Sequence, residues 1–219
     1  MHTAVFTDFD GTAARRDVGY HIYHHFSAGR SEAVIPAWKA GEISSRECLL
    51  REAAMVEATE RDFYAFLDTM VLNPGFVEFD RLCRANNVPL TILSDGLDLY
   101  IDHILKRHGL SHIPALCNRG RLSDGKLTIE FPYPPGACGR CGNCKGERIA
   151  EYRSAYAQPC RVVFIGDGLS DTCAIDQCDV LLAKKDLARY CEASNIPYTK
   201  FDTFFDVARV LVEQGYLTE

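Results

Sequence analysis

Two aspartates, Asp8 and Asp10, stand one residue apart where the apolar run Ala4-Val5-Phe6-Thr7 gives way to Gly11-Thr12. Aspartate is a poor strand former and two carboxylates repel, so this placement calls for a chemical reason. Where a strand gives way to a turn at Gly11, the two side chains need not share the face that positions i and i+2 of a strand would share. One carboxylate can therefore face a substrate as nucleophile while the other reaches a leaving-group oxygen as an acid. A doubly charged cation beside them would relieve the repulsion. Three more stretches carry groups of the same kind. Ser94 follows the apolar stretch 88–93, Asp167 follows the apolar stretch 162–165 within Gly166-Asp167-Gly168, and Asp171 comes shortly after. Lys145 opens a helical stretch, where backbone amides also favour an anion. The four acids suit a hard cation such as Mg²⁺, which takes one or two carboxylates together with substrate phosphate. Lys145 and Ser94 suit the phosphate itself.

For these groups to meet, they must lie on one edge of one layer. The last two-thirds of the chain alternate helical and strand-like patterns. Helices are expected over 75–86, 97–108, 145–157, 185–193 and 203–213, and strands over 88–93, 162–165 and 180–183. A hairpin is expected over 115–132, turning at Ser123-Asp124-Gly125. Alternation of this kind predicts an α/β fold, a Rossmann-like parallel sheet with helices on both faces. In such sheets ligands bind beyond the carboxyl ends of the strands, which is where the polar groups fall. Residues 14–74 carry no strand pattern but four helical ones, over 18–26, 31–39, 44–56 and 60–70. We expect an all-helical cap over 14–74, inserted after the first strand into a core made of 1–13 and 75–219, with Asn73-Pro74-Gly75 marking the return.

Asp8-Phe9-Asp10-Gly11-Thr12, Ser94, Lys145 and Gly166-Asp167-Gly168-Leu169-Ser170-Asp171 resemble, in order, the four motifs of the haloacid dehalogenase-like phosphatases. The insertion resembles the cap of the phosphoserine phosphatase-like branch. The tail, from Ala183-Lys184-Lys185-Asp186 to Phe201-Asp202-Thr203-Phe204, resembles the 2-hydroxy-3-keto-5-methylthiopentenyl-1-phosphate phosphatases of methionine salvage. The resemblance implies a Mg²⁺-dependent phosphomonoesterase acting on a small phosphorylated metabolite. Asp8 would form an aspartyl-phosphate; Asp10 would protonate the leaving alcohol and then activate water. Asp8, the backbone carbonyl of Asp10, Asp167 and the nearby Asp171 would serve the metal. Ser94, Lys145 and the amide of Gly96 would hold the phosphoryl oxygens. Two enzyme alternatives share this scaffold, a phosphoserine phosphatase and a phosphotransferase. A non-enzyme alternative is a metal or redox sensor built on the cysteine loop.

Substrate choice would fall to the cap. Asp17 is either a substrate contact or the N-cap of the helix that starts at Val18. Where phosphoserine phosphatases carry an arginine for the substrate carboxylate, the stretch Gly41 to Glu52 aligns Glu52, with Arg51 one residue away as the candidate substitute. One residue turns a helical side chain by about 100°. His21 and His25 have chelating spacing, yet an amphipathic helix face explains them as well, and Trp38 reads as packing. Cys138, Cys141 and Cys144, directly before Lys145, are spaced like zinc ligands, with Cys117 or His112 as a fourth. Structural Zn²⁺, free thiols and a disulfide all remain open for them.

Composition sets the remaining bounds. The chain has 219 residues, 47% hydrophobic and 25% charged, which is ordinary for a globular protein with a core of its own. A net charge of −6 without a long basic run argues against a nucleic-acid partner. No apolar run approaches the ~20 residues of a membrane helix. The chain does not start with a basic stretch followed by an apolar one, so we expect a cytoplasmic protein whose ten cysteines are mostly reduced.

Overall fold

A computed structural model describes residues 2–134, 136, 137, 139–155 and 159–218. The centre is β1 (His2–Thr7), whose apolar residues are divided between two faces. Val5 joins one buried cluster, while Ala4 and Phe6 join the other. β5 (Cys160–Gly166) pairs with β1 in parallel and divides the same way, with Val163 and Ile165 on one side and Val162 and Phe164 on the other. Strands buried on both faces read as continuous apolar runs, and both do.

Between β1 and β2 (Leu90–Leu97) lie five α-helices: α1 (Val18–Phe26), α2 (Ile35–Lys39), α3 (Ser45–Ala53), α4 (Glu60–Leu67) and α5 (Phe76–Ala85). Oxygen-bearing side chains cap three of them: Asp17 for α1, Ser44 for α3 and Thr59 for α4. The single helix expected over 31–39 is instead a short turn of tighter helix, Arg30–Ala33, followed by α2. Pro36 explains the break, because proline is tolerated only in the first turn of a helix. After β2 come α6 (Asp98–Arg107), β3 (Ala115–Ser123), β4 (Lys126–Glu130), α7 (Lys145–Ser154), β5, β6 (Val180–Ala183), α8 (Lys185–Ser194), β7 (Thr199–Lys200) and α9 (Phe204–Glu213). The expected hairpin is β3–β4, turning at Asp124-Gly125, and β3 also pairs in parallel with β2. The end of the helix expected over 145–157 falls partly outside the described residues.

The seven strands run in the order β4-β3-β2-β1-β5-β6-β7, parallel except for β3–β4. This is the mostly parallel α/β sheet expected from the alternation. Phe76, Phe79, Ile101, Ile104, Phe204 and Val207 carry α5, α6 and α9 onto one face. Ile149, Leu187 and Cys191 carry α7 and α8 onto the other. The sequence reversal on either side of β1 opens a crevice at the carboxyl ends of β1, β2 and β5. Among the described residues, no helix is long and apolar enough to cross a membrane.

Candidate active site

The first residue past β1 is Asp8, buried, with its amide donating to the Ile165 carbonyl at 2.9 Å, so the end of β5 holds it in place. Lys145, the first residue of α7, is also buried. Its Nζ donates to Asp8 Oδ1 at 2.6 Å and to Asp171 Oδ1. Burial alone would push Lys145 down, but the carboxylates of Asp171, Asp8 and Asp95 more than reverse that and hold it charged. Asp171 Oδ2 accepts from the amides of Asp167 and Gly168, both at 2.9 Å, which pins the turn after β5. Asp167 accepts from Thr12 Oγ1 at 3.0 Å and from Lys185 Nζ at 2.7 Å.

Carboxylate oxygens of Asp8, Asp167 and Asp171 lie within 4.8 Å of one another, and all three residues are buried. Burial pushes Asp8 up first; Lys145 opposes this, and Asp171, Asp167 and Asp10 add to it. Asp167 is raised for the same reasons, burial and then Asp171. The cluster is short of positive charge, and its donors are hard oxygens. Both properties fit a divalent cation of the Mg²⁺ type.

The Asp10 carboxylate is turned away from that cluster. Its Oδ1 accepts from the Gly19 amide at 3.0 Å, and its Oδ2 from Tyr100 Oη at 2.7 Å and Ser94 Oγ at 3.3 Å. The acid is pushed up to about 7 by burial and by the Asp17 carboxylate, against the Tyr100 and Gly19 hydrogen bonds. It can thus hold a proton near neutrality and release it. Gly96 lies against this group. A Cβ there would sit 1.9 Å from Tyr100 Oη and 2.6 Å from Asp10 Oδ2, so only glycine leaves the hydrogen bond intact. Its amide donates to Ser94 Oγ at 2.9 Å.

A cleft of about 390 Å³ opens over Asp8, Asp10, Ser94 and Asp167. Its far wall comes from the helical segment and includes Tyr20, Tyr23, Ile35, Trp38, Leu49 and Glu52. Asp17 caps α1, accepting from the Tyr20 amide at 2.8 Å, as the N-cap reading expects, and it also lines the cleft. Arg51 does not reach the cleft. It is exposed and pairs with Glu47 one turn back on α3. Glu52, one residue on, takes the inward position, buried and pushed up to about 7 by burial against the hydrogen bond from Cys48. Trp38 lines the cleft with its indole N–H on Ser45 Oγ at 3.1 Å. His25 stacks on Phe66 and His24 pairs with Glu32, so this helix face is used for packing and surface pairing.

The cysteine loop reaches the same edge by another route. Asp95 accepts from the amides of Asn143 at 2.5 Å and Gly142 at 3.4 Å, and Asn143 Nδ2 donates to the Leu116 carbonyl at 2.7 Å. Cys141 and Cys144 come together with Cys173, their sulfur atoms within 4.8 Å of one another. Cys138 lies outside the described residues. Cys117 is not part of the group. Alternation along β3 turns Leu116 toward α7 and Cys117 into the opposite cluster, near Asp98 and Asp102. His112 is likewise engaged elsewhere, 3.0 Å from Asp80. Tyr100, Lys185, Glu52 and Cys173 are absent from the sequence reading as functional groups. Two of them had a trace in the sequence: Glu52 aligns with the arginine slot of the phosphoserine phosphatases, and Cys173 falls two residues after Asp171.

Comparison with known proteins agrees with this geometry. The profile of the haloacid dehalogenase-like hydrolases matches residues 5–176. A 2-hydroxy-3-keto-5-methylthiopentenyl-1-phosphate phosphatase of Brevibacillus brevis is 31% identical over 214 residues, covering 94% of each chain. One of the same name from Lysinibacillus sphaericus is 27% identical, covering 97% of this chain and 95% of its own. Among solved structures, a phospho-aspartyl intermediate analogue of phosphoserine phosphatase superposes with a TM-score of 0.75. It is 16% identical over 95% of this chain and 98% of that one, which is a likeness of fold. Family profile, full-length relatives and strand-end geometry agree: the chain belongs to the haloacid dehalogenase-like hydrolase family, as a phosphatase.

Proposed function

We propose that this chain is a Mg²⁺-dependent phosphomonoesterase working through an aspartyl-phosphate on Asp8. The observation that carries the reading is the division of labour between the two aspartates. Asp8 lies between the Lys145 ammonium and the carboxylates of Asp167 and Asp171. Asp10 stands outside that cluster as an acid of pKa about 7. Asp8, Asp167 and Asp171, with the backbone carbonyl of Asp10, would hold the cation. When bound, it would neutralise phosphate charge and orient the ester.

The residues supply the rest. An ionised Asp8 oxygen bonds to phosphorus as the ester P–O bond breaks. Asp10 gives its proton to the departing alkoxide, which leaves as the alcohol. Asp10, now ionised, takes a proton from water as that water attacks phosphorus, and Asp8 is released with inorganic phosphate. Lys145, Ser94 and the Gly96 amide would bind the phosphoryl oxygens. Residues 14–74 would act as the cap, and closing it would keep water from the first step.

The cleft wall bears on the substrate. Ile35, Trp38 and Leu49 offer an apolar surface, and among the described residues no arginine lines the cleft to take a substrate carboxylate. That supports a small ester with an uncharged tail over phosphoserine, in keeping with the methylthiopentenyl esters named for the relatives. Inorganic phosphate release across a panel of phosphometabolites tests this. An uncharged-tail ester should exceed phosphoserine by at least about tenfold in kcat/KM, the order of one methylene-sized pocket difference. Preference for phosphoserine would reverse the assignment.

Two variants probe Asp10. Tyr100→Phe removes a hydrogen bond that favours the ionised form, so the Asp10 pKa rises above its value near 7. Water attack needs ionised Asp10, so the acid limb of the kcat profile should move to higher pH, by about 0.5–1 unit. An unmoved profile would remove Asp10 from that step. Gly96→Ala drives a methyl group into the Tyr100–Asp10 contact. Turnover should fall about 100-fold, the scale of an ångström-sized misplacement. Wild-type turnover would show that the contact is dispensable.

A further inference from the structure

We propose that Cys141, Cys144 and Cys173 ligate one structural zinc ion, and that this ion ties the start of α7 to the segment 169–177 behind the catalytic edge. The three sulfur atoms come from two stretches far apart in sequence and meet within 4.8 Å of one another. Thiolates about 2.3 Å from zinc at tetrahedral angles stand about 3.8 Å apart, so closing onto an ion takes a contraction of under about 1 Å. Sulfur is a soft donor, which favours zinc over Mg²⁺ or Ca²⁺. Among the described residues, no fourth histidine, cysteine or carboxylate joins the group. On coordination each thiol would lose its proton to solvent.

The backbone around the cluster fits a cross-link. A Cβ on Gly146 would lie 2.1 Å from the Cys173 carbonyl oxygen, so α7 begins in direct contact with the 169–177 segment. The loop is also moored from its other side, by the Asn143 and Gly142 amides on Asp95. Cys144 immediately precedes Lys145, and Cys173 follows Asp171 by two residues. The Lys145–Asp171 ion pair is therefore carried by the two segments that the zinc would join. The ion's role would be to position these two side chains. The non-enzyme reading of this loop as a sensor is unnecessary, since the cluster backs directly onto the phosphatase site.

The test uses the full chain, purified without added zinc, and reads metal content rather than activity, so it stands apart from the phosphatase assignment. Elemental analysis should find about one zinc per chain, the single ion of a structural site, released on titration with a mercurial. X-ray absorption should give sulfur neighbours at about 2.3 Å. Cys173→Ser should lose the zinc, while Cys117→Ser, whose sulfur lies on the other face of the sheet, should keep it. If Cys173→Ser does not fold, the wild-type absorption spectrum still decides by counting sulfur neighbours. Less than about a tenth of an equivalent, with none taken up from added Zn²⁺, would overturn the proposal for this one-ion site. So would an intact mass showing a Cys141–Cys173 disulfide, or full zinc retention in a folded Cys173→Ser variant.

Discussion

Replacing Asp8 with asparagine should lower phosphatase turnover by about four powers of ten or more, equivalent to over about 5 kcal/mol of barrier. The amide has nearly the shape of the carboxylate, so the fold should survive. Asp8 is pushed up by burial and opposed mainly by Lys145, so losing its charge removes an electrostatic cost from the native state. The introduced amide would still lie beside Lys145 but could not attack phosphorus or share the cation. Circular dichroism and phosphate release on the same sample separate folding from catalysis. A folded variant that keeps more than a tenth of wild-type turnover would exclude Asp8 as nucleophile.

Removing divalent cations should have the next largest effect. Asp8, Asp167 and Asp171 are three buried acids against the ammonium of Lys145, with Lys185 bonded to Asp167. Without a cation, burial and the Asp171 carboxylate hold both Asp8 and Asp167 in the raised range, and the substrate's own charge would add to the repulsion. Chelation followed by removal of the chelator should bring turnover down by about 1,000-fold, and Mg²⁺ alone should restore it. Ca²⁺ should inhibit, because it takes more ligands at longer distances and would displace the line of attack. Full activity in excess chelator would contradict the mechanism.

Much of this site was legible before folding because strand ends announce themselves. Asp8 and Asp167 come directly after β1 and β5, and Ser94 follows the apolar part of β2, which continues to Leu97 rather than ending at 93 as expected; the parallel-sheet rule then puts them on one edge. Lys145 was legible from the helix start that follows the cysteine loop. The groups that tune the site were not legible. Tyr100 lies in the first turn of α6, in a pattern that reads as an ordinary amphipathic helix. Its contact with Asp10 comes from Gly96 letting the backbone approach. Lys185 takes a positive φ at the start of α8, which no local signal predicts. Arg51 and Glu52 are separated by a single step of α3, and that step divides solvent from cleft. Cys173 was missed because 169–177 carries no helical or strand periodicity, and its partners come from a loop in a different part of the chain. Cys117 was a plausible partner in sequence, but strand alternation turned it to the wrong face of the sheet. The two-residue β7 is too short to leave a pattern at all.

The central claim is that phosphate passes through Asp8. Acid quenching during turnover of a phosphate ester preserves an acyl phosphate, and digestion then locates it by mass. Phosphate should appear on the peptide that carries Asp8, within milliseconds of mixing, and decay as inorganic phosphate is released. In Asp10→Asn, which lacks the base for water attack, a substrate with a good leaving group should make that peptide accumulate. Phosphate on Ser94, or turnover with no phosphorylated peptide in either protein, would contradict the account.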